Sequence, residues 1–282
     1  MLLRAFSRYS MLLVTSALTL IVWSCKEESK PEETPKTEET VHPPVPLISH
    51  VVVQAHPHDI QLFTEGLLFH KGRLYESTGS PDNLPAVKSM IGITDITNGK
   101  FSSKAELDRS KYFGEGIVVV GDKLYQLTYK NQMGFIYDAN TFKQTGTFNY
   151  ANAEGWGMTT NGQEIIMSDG TDVLTFLSPA DLKPVKTLKV TDVGVPLTYI
   201  NELEFINGYI YANVWMTNFI VKIDPSNGKV AGRLDLSPLA YEARNKNPEA
   251  DVLNGIAYNP ETGKIYVTGK LWPNLYEIRF EH

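Results

Sequence analysis

Five copies of one strand–turn–strand pattern govern what this chain can fold into. The segment Phe63-Thr-Glu-Gly66 to Gly79 reads as a short strand, a Lys71-Gly72 turn and a second, alternating strand. It returns from Phe113-Gly-Glu-Gly116 to Tyr129, and again around Glu154-Gly-Trp-Gly-Met158, where Asn161-Gly162 makes the turn and Glu164 to Ser168 the return strand. The fourth copy runs from Ile200 to Trp215 and the fifth from Leu253 to Gly269. Between the copies lie further hairpins, with turns at Asn98-Gly99, Asp138-Ala139-Asn140, and Asp224-Pro225 with Asn227-Gly228. Asn-Gly supplies the positive φ that a tight hairpin demands. Each repeat therefore holds four short strands, which is one propeller blade.

The spacing agrees with that unit. The anchor residues Glu65, Glu115, Trp156, Asn201 and Asn254 lie 50, 41, 45 and 53 residues apart, and four-stranded blades run about 40–50 residues. Aromatic residues make up 11% of the chain, with 14 Tyr, which favours sheet over helix. The expected fold is all-β: one five-bladed β-propeller of four-stranded antiparallel blades over residues 49–282. A ten-stranded sandwich would not give such even spacing. Ser237 to Ala250 interrupts the pattern with a polar, helix-like insert, expected as a lid or rim near the cleft.

The first 48 residues read differently. Arg4 and Arg8 precede an apolar run, Met11 to Trp23, with the length and position of a signal-peptide core. Val22-Trp23-Ser24-Cys25 resembles a bacterial lipobox, although Trp23 stands where a small residue is usual. Cys25, the only cysteine, would be lipidated and would open the mature chain, and Cys25-Lys-Glu-Glu28 resembles a surface-export tag. Residues 25–48 are rich in Glu and Pro and form an extended tether. These features place the protein in the bacterial cell envelope, periplasmic or surface-exposed, held to the membrane by lipid, and as a monomer. The net charge is −6 with no cluster of Lys and Arg, so a nucleic-acid partner is not expected.

In a propeller the innermost strands line a central channel, so the five anchors converge on one ring of two carboxylates, two amides and an indole. Buried carboxylates are costly unless paired, and such a ring is either a site or a polar, water-filled channel. Tyr129, Asp169, Trp215 and Lys270, at the ends of the return strands, should meet the same face. Two tryptophans beside few polar groups describe a small-molecule cleft. His56 and His58, in Ala55-His-Pro-His-Asp59, have no third ligand nearby and are expected in a surface turn rather than in a zinc site.

Taken together, Phe63-Thr-Glu-Gly-Leu67, Tyr112-Phe-Gly-Glu-Gly116, Gly155-Trp-Gly157, Ser168-Asp-Gly-Thr171, Leu203-Glu-Phe205, Ala212-Asn-Val-Trp215, Asp251-Val-Leu-Asn-Gly-Ile256 and Thr268-Gly-Lys-Leu-Trp-Pro273 resemble the plant-type glutaminyl-peptide cyclotransferases and their bacterial relatives. The resemblance runs in order through every blade. It implies cyclisation of N-terminal glutamine of peptides or proteins to pyroglutamate with release of ammonia. It assigns the catalytic carboxylate to Glu115 and matches Trp156, Asn201, Trp215 and Lys270 to the other residues of the active cleft, and the chemistry makes Lys270 and Asn201 candidate oxyanion donors. Phe63, Glu65, Tyr129, Trp156, Trp215 and Asn254 would bind substrate. Glu65 stands where plant enzymes tend to carry Gln, and Tyr129 where Trp is found. The chemistry is intramolecular aminolysis with one glutamate shuttling a proton. It requires no cofactor and no catalytic metal, although the polar channel has the ligand types for a structural Ca2+. A calcium-dependent propeller hydrolase of the lactonase type, or a non-catalytic propeller binding surface peptides or glycans, remains a competing reading of the same ring.

Overall fold

A computed structural model describes residues 44–282. The apolar N-terminal run, the lipobox with Cys25 and most of the tether lie outside the described residues. The described chain forms the five four-stranded antiparallel sheets that the repeats predict. The first comprises β2 (Thr64–His70), β3 (Arg73–Thr78), β4 (Met90–Thr94) and β5 (Phe101–Glu106). The second holds β6 (Gly114–Val120), β7 (Lys123–Thr128), β8 (Met133–Asp138) and β9 (Gln144–Asn149). The third runs through β10 (Met158–Thr160), β11 (Ile165–Met167), β12 (Val173–Leu177) and β13 (Pro184–Lys189), followed by a small hairpin of β14 (Thr191–Asp192) and β15 (Val195–Pro196). The fourth holds β16 (Ile200–Ile206), β17 (Tyr209–Val214), β18 (Phe219–Ile223) and β19 (Val230–Asp235), and α1 (Ser237–Lys246) leads on to the last blade. That blade contains β20 (Leu253–Asn259), β21 (Lys264–Gly269) and β22 (Asn274–Phe280), and its outermost strand is β1 (His50–Pro57), paired antiparallel with β22 from His50↔Phe280 to Pro57↔Asn274. The two ends of the propeller are thus sewn into one sheet.

Alternation along the inner strands makes the ring. Successive side chains of a strand point to opposite faces of its sheet, so each blade feeds two interfaces at once. Leu67 and Leu74 pack against Ala257, Tyr266 and Leu275 of the last blade. Their neighbours Leu68 and Tyr75 pack the other way, onto Ile117 and Leu124. Val118 and Tyr125 continue to Met158 and Ile165, Ile166 and Phe176 to Leu203 and Val221, and Ile206 and Tyr211 to Leu253 and Tyr276. Five apolar seams result, one between each pair of neighbours. The outer hairpins share one device: Asp95, Asp138 and Asp224 each accept the backbone N–H two residues on, or two and three on for Asp138, an Asx turn that fixes the hairpin.

Two expectations need correction. His58 is not in a surface turn. It is buried, with Nδ1 2.9 Å from the Trp272 carbonyl oxygen and Nε2 3.1 Å from Glu76 Oε1. Glu76 also accepts from Thr64 and Thr94. Burial lowers the His58 pKa most strongly of any single cause, but the charge and hydrogen bond of Glu76, with the Trp272 carbonyl and Asp59, together outweigh it and the imidazole is raised. Burial likewise pushes Glu76 up, and His58 with the two threonines holds it below the usual carboxylate range. His56 lies in β1. Second, α1 is no lid. Leu239, Ala240 and Ala243 are packed into the same seam as Trp272 and Tyr276, and only the following loop, Pro248 to Asp251, reaches the cleft.

Candidate active site

The anchor residues reach the axis because their strands are bulged there. The β2–β3 register slips between Thr64 and Gly66, β6–β7 between Gly114 and Ile117, β16–β17 between Ile200 and Leu203, and β20–β21 between Leu253 and Ile256. A bulge frees a residue from the ladder and re-aims its side chain. The freed residues include Glu65, Glu115, Asn201 and Asn254. In the third blade β10 begins only at Met158, and Trp156 occupies the equivalent place, its carbonyl accepting Gly116 N–H at 2.7 Å. The glycine after an anchor is a packing requirement. A Cβ on Gly66 would lie 2.8 Å from Ile117 N, and one on Gly116 would lie 2.5 Å from the Trp156 carbonyl oxygen. Neighbouring inner strands approach too closely for any side chain at these points. Side chains from the second strands secure the bulges: Ser77 Oγ donates to the Glu115 carbonyl, Ser168 Oγ to the Asn201 carbonyl, and Asn213 Oδ1 accepts from Gly255 N–H.

One cavity of 190 Å³ gathers eight of the nine expected residues: Phe63, Glu65, Glu115, Tyr129, Trp156, Asn201, Trp215 and Lys270. Asn254 lies behind it, fully buried, and donates to Glu65 Oε2 at 3.3 Å; it braces a carboxylate instead of facing the cavity. Asp169 does not line it and accepts from Asn152. Trp156 and Trp215 meet edge to face with centroids 5.6 Å apart, and Trp156 Nε1 donates to Glu154 at 2.9 Å. Lys270 Nζ is 2.8 Å from Glu65 Oε1 and 4.6 Å from the Phe63 ring centroid. The turns beyond Trp215 and Lys270 pass through left-handed backbone at Met216 (φ 64°) and Leu271 (φ 60°), a costly conformation that holds both side chains at their strand ends.

The electrostatics centre on Glu65 and Glu115, both buried. Burial raises Glu65, and Lys270 pulls it back. Burial raises Glu115 further, and the charge on Glu65 adds to the effect. Both carboxyl groups line the same cavity. Asn201 Oδ1 is buried without a donor.

Sequence reasoning missed Phe113, Pro81 and Asp251, which also line the cavity. Phe113 had a signal, since it stands two residues before Glu115 as Phe63 stands two before Glu65. Asp251 sits in an inter-blade connection, where the repeat says nothing. It also missed Glu202, which shares the bulge with Asn201 and accepts from the N–H groups of Leu67 and Ile256, tying three blades at the axis. Among the described residues, no group of three or more His, Cys, Asp or Glu is placed to hold a metal ion.

A family model described as glutamine cyclotransferase matches residues 17–280. The glutaminyl-peptide cyclotransferase of Arabidopsis thaliana is 37% identical over 238 residues, covering 82% of this chain and 71% of that protein. The crystal structure of Myxococcus xanthus glutaminyl cyclase superposes with a TM-score of 0.75 at 35% identity, covering 85% of this chain and 99% of that one.

Proposed function

The chain belongs to the glutamine cyclotransferase family and is a glutaminyl-peptide cyclotransferase, and we propose that the Glu115–Glu65 pair moves the proton that its reaction requires. The α-amine of an N-terminal glutamine attacks its own γ-amide carbonyl. The attacking nitrogen must lose a proton, the tetrahedral oxyanion needs a donor, and the departing nitrogen must gain a proton to leave as ammonia. A carboxyl pair holding one proton serves both transfers. Glu115 gives its proton to the leaving nitrogen, and the pair recovers one from the attacking nitrogen, so no net proton is consumed. Positioned acid–base groups contribute about 10²–10⁴ in rate.

The other lining residues divide the remaining work. Lys270 and Asn254 favour the ionised form of Glu65 over that of Glu115, which keeps the proton on Glu115. The Asn201 amide donates to the oxyanion, a role worth about 3–4 kcal/mol per donor, with Lys270 beside it. Trp156, Trp215, Phe63 and Tyr129 wall the glutamine into its folded, reactive shape. Neither a cofactor nor a metal has a step in this scheme. The observation that supports it best is the pair of buried carboxyl groups lining the same cavity as two facing indoles. Stoichiometric ammonia and pyroglutamyl product from a glutamine-initiated dipeptide amide would bear it out. Hydrolysis of the γ-amide to glutamate instead would sink it.

The same reading holds that the protein is a monomer carrying lipid on Cys25 in the bacterial envelope, supported by the apolar run from Met11 to Trp23 and the lipobox-like tetrapeptide ending at Cys25. Detergent-phase partitioning that Cys25→Ser leaves unchanged would refute the anchor.

A further inference from the structure

The catalytic cavity is too small for a whole peptide. Its 190 Å³ is below the about 300–1,000 Å³ of sites that enclose a drug-sized ligand. A substrate can seat its first residue there and must lead the rest out. Two clefts adjoin it across Pro81. The larger, 490 Å³, shares Phe113 and Tyr129 with the catalytic cavity and is lined by Arg109, Lys111 and Lys130 against the single acid Asp82. The smaller, 260 Å³, shares Phe63 and Asp251 and presents Glu249 and Asp251 with no cation.

That opposition orients a peptide. Its terminal amine is drawn to the acidic side, and the chain beyond leaves over Tyr129 into the basic side. Arg109 builds the floor there, donating to the carbonyls of Pro81, Leu84, Pro85 and Val87. Lys111 and Lys130 are the adaptable charges, with side chains 66% and 64% exposed. Lys111 Nζ is 2.9 Å from Asp108 and Lys130 Nζ is 3.7 Å from Glu154, and exposed pairs of this kind exchange readily for another carboxylate. Lys130 Nζ sits 4.4 Å above the Tyr129 ring, on the wall between the two cavities.

We propose that this basic cleft seats the residues following the N-terminal glutamine, and that Lys111 and Lys130 select glutaminyl peptides with acidic side chains in the next few positions. The inference rests on the cyclotransferase reading of the cavity and adds a substrate class to it. Such contacts act alike on the bound substrate and its transition state, so the selection appears in KM and not in kcat.

The test compares ammonia release by the full chain from Gln-Ala amide, Gln-Ala-Glu-Glu-Ala amide and Gln-Ala-Lys-Lys-Ala amide. At low ionic strength kcat/KM for the acidic peptide should exceed that for the basic one by roughly five- to twentyfold, and the ratio should fall toward one near ~0.5 M salt. In Lys111→Glu/Lys130→Glu the ratio should invert, a readout that a general loss of activity does not move. A ratio of one at low salt, a preference for the basic peptide, or a ratio unchanged in the double variant overturns the assignment. Silence on all three substrates, the neutral one included, overturns the cyclotransferase reading and the cleft with it.

Discussion

Replacing Lys270 with Met removes the one cation that neutralises the buried carboxyl pair. The Lys270 and Glu65 side chains are 7% and 2% exposed and their charged atoms 2.8 Å apart. Breaking a buried pair by deleting one partner costs about 3–5 kcal/mol. Methionine retains most of the apolar stem against Phe63, so lost packing accounts for less than about 1.5 kcal/mol of that. The rest is charge, and Glu65 can escape it by taking a proton. Burial already raises Glu65 in the folded chain, and losing Lys270 raises it further. An acid so raised contributes stability below its unfolded pKa of about 4.3 and loses it as pH climbs toward the folded value, at about 1.4 kcal/mol per unit. Wild-type Glu65 is raised to about 7, so the gap between wild type and variant widens only above about pH 7. At about 2–4 °C per kcal/mol for a domain of this size, Lys270→Met should lower the melting temperature by about 6–20 °C near pH 8, and by about 3–6 °C less near pH 6. Thermal unfolding followed by circular dichroism at the two pH values measures it. An equal loss at both would mean that the lysine acts by packing, and the electrostatic account of the pair would fail.

Glu76→Gln should destabilise by about 3 kcal/mol, most strongly between about pH 4.3 and 6.5. Glu76 is lowered and contributes above its unfolded pKa, whereas His58 is raised and contributes below its own; urea titrations across that window will show it. Gly116→Ala should cost at least about 1–3 kcal/mol and most of the activity, because its Cβ meets the backbone of Trp156 and Gly157. Gly146→Ala, whose Cβ would lie 3.7 Å from an Ile136 methyl, should be silent in both assays. Overnight dialysis against a chelator should leave ammonia release unchanged; a loss restored by Ca2+ would show that the activity depends on a metal held in the polar channel.

The blades were legible because the hairpin recurs five times and its turns carry Asn-Gly and Asp. The closing strand was not. His50–Pro57 belongs to no repeat, and its partner β22 lies more than two hundred residues away, so nothing local marks it as an outer strand. The site was legible wherever a residue was both a repeat anchor and chemically unusual, as with Glu65, Glu115 and Trp156. Asn254 shows the limit: the repeat placed it on the ring, but the bulge turns it behind Glu65. Where a bulge frees two residues, as at Asn201 and Glu202, the anchor rule keeps only one. His58 was misjudged because its partner Glu76 sits on a different strand, and adjacency in sequence carries no sign of burial.

The most direct test of the account is the kcat/KM of Glu115→Gln on Gln-Ala amide, read as ammonia release beside a thermal unfolding curve of the same preparation. The carboxyl-pair mechanism predicts a fall of about 10²–10⁴ in a protein that still unfolds cooperatively near the wild-type temperature. A rate within a few-fold of wild type would show that the proton travels by another route.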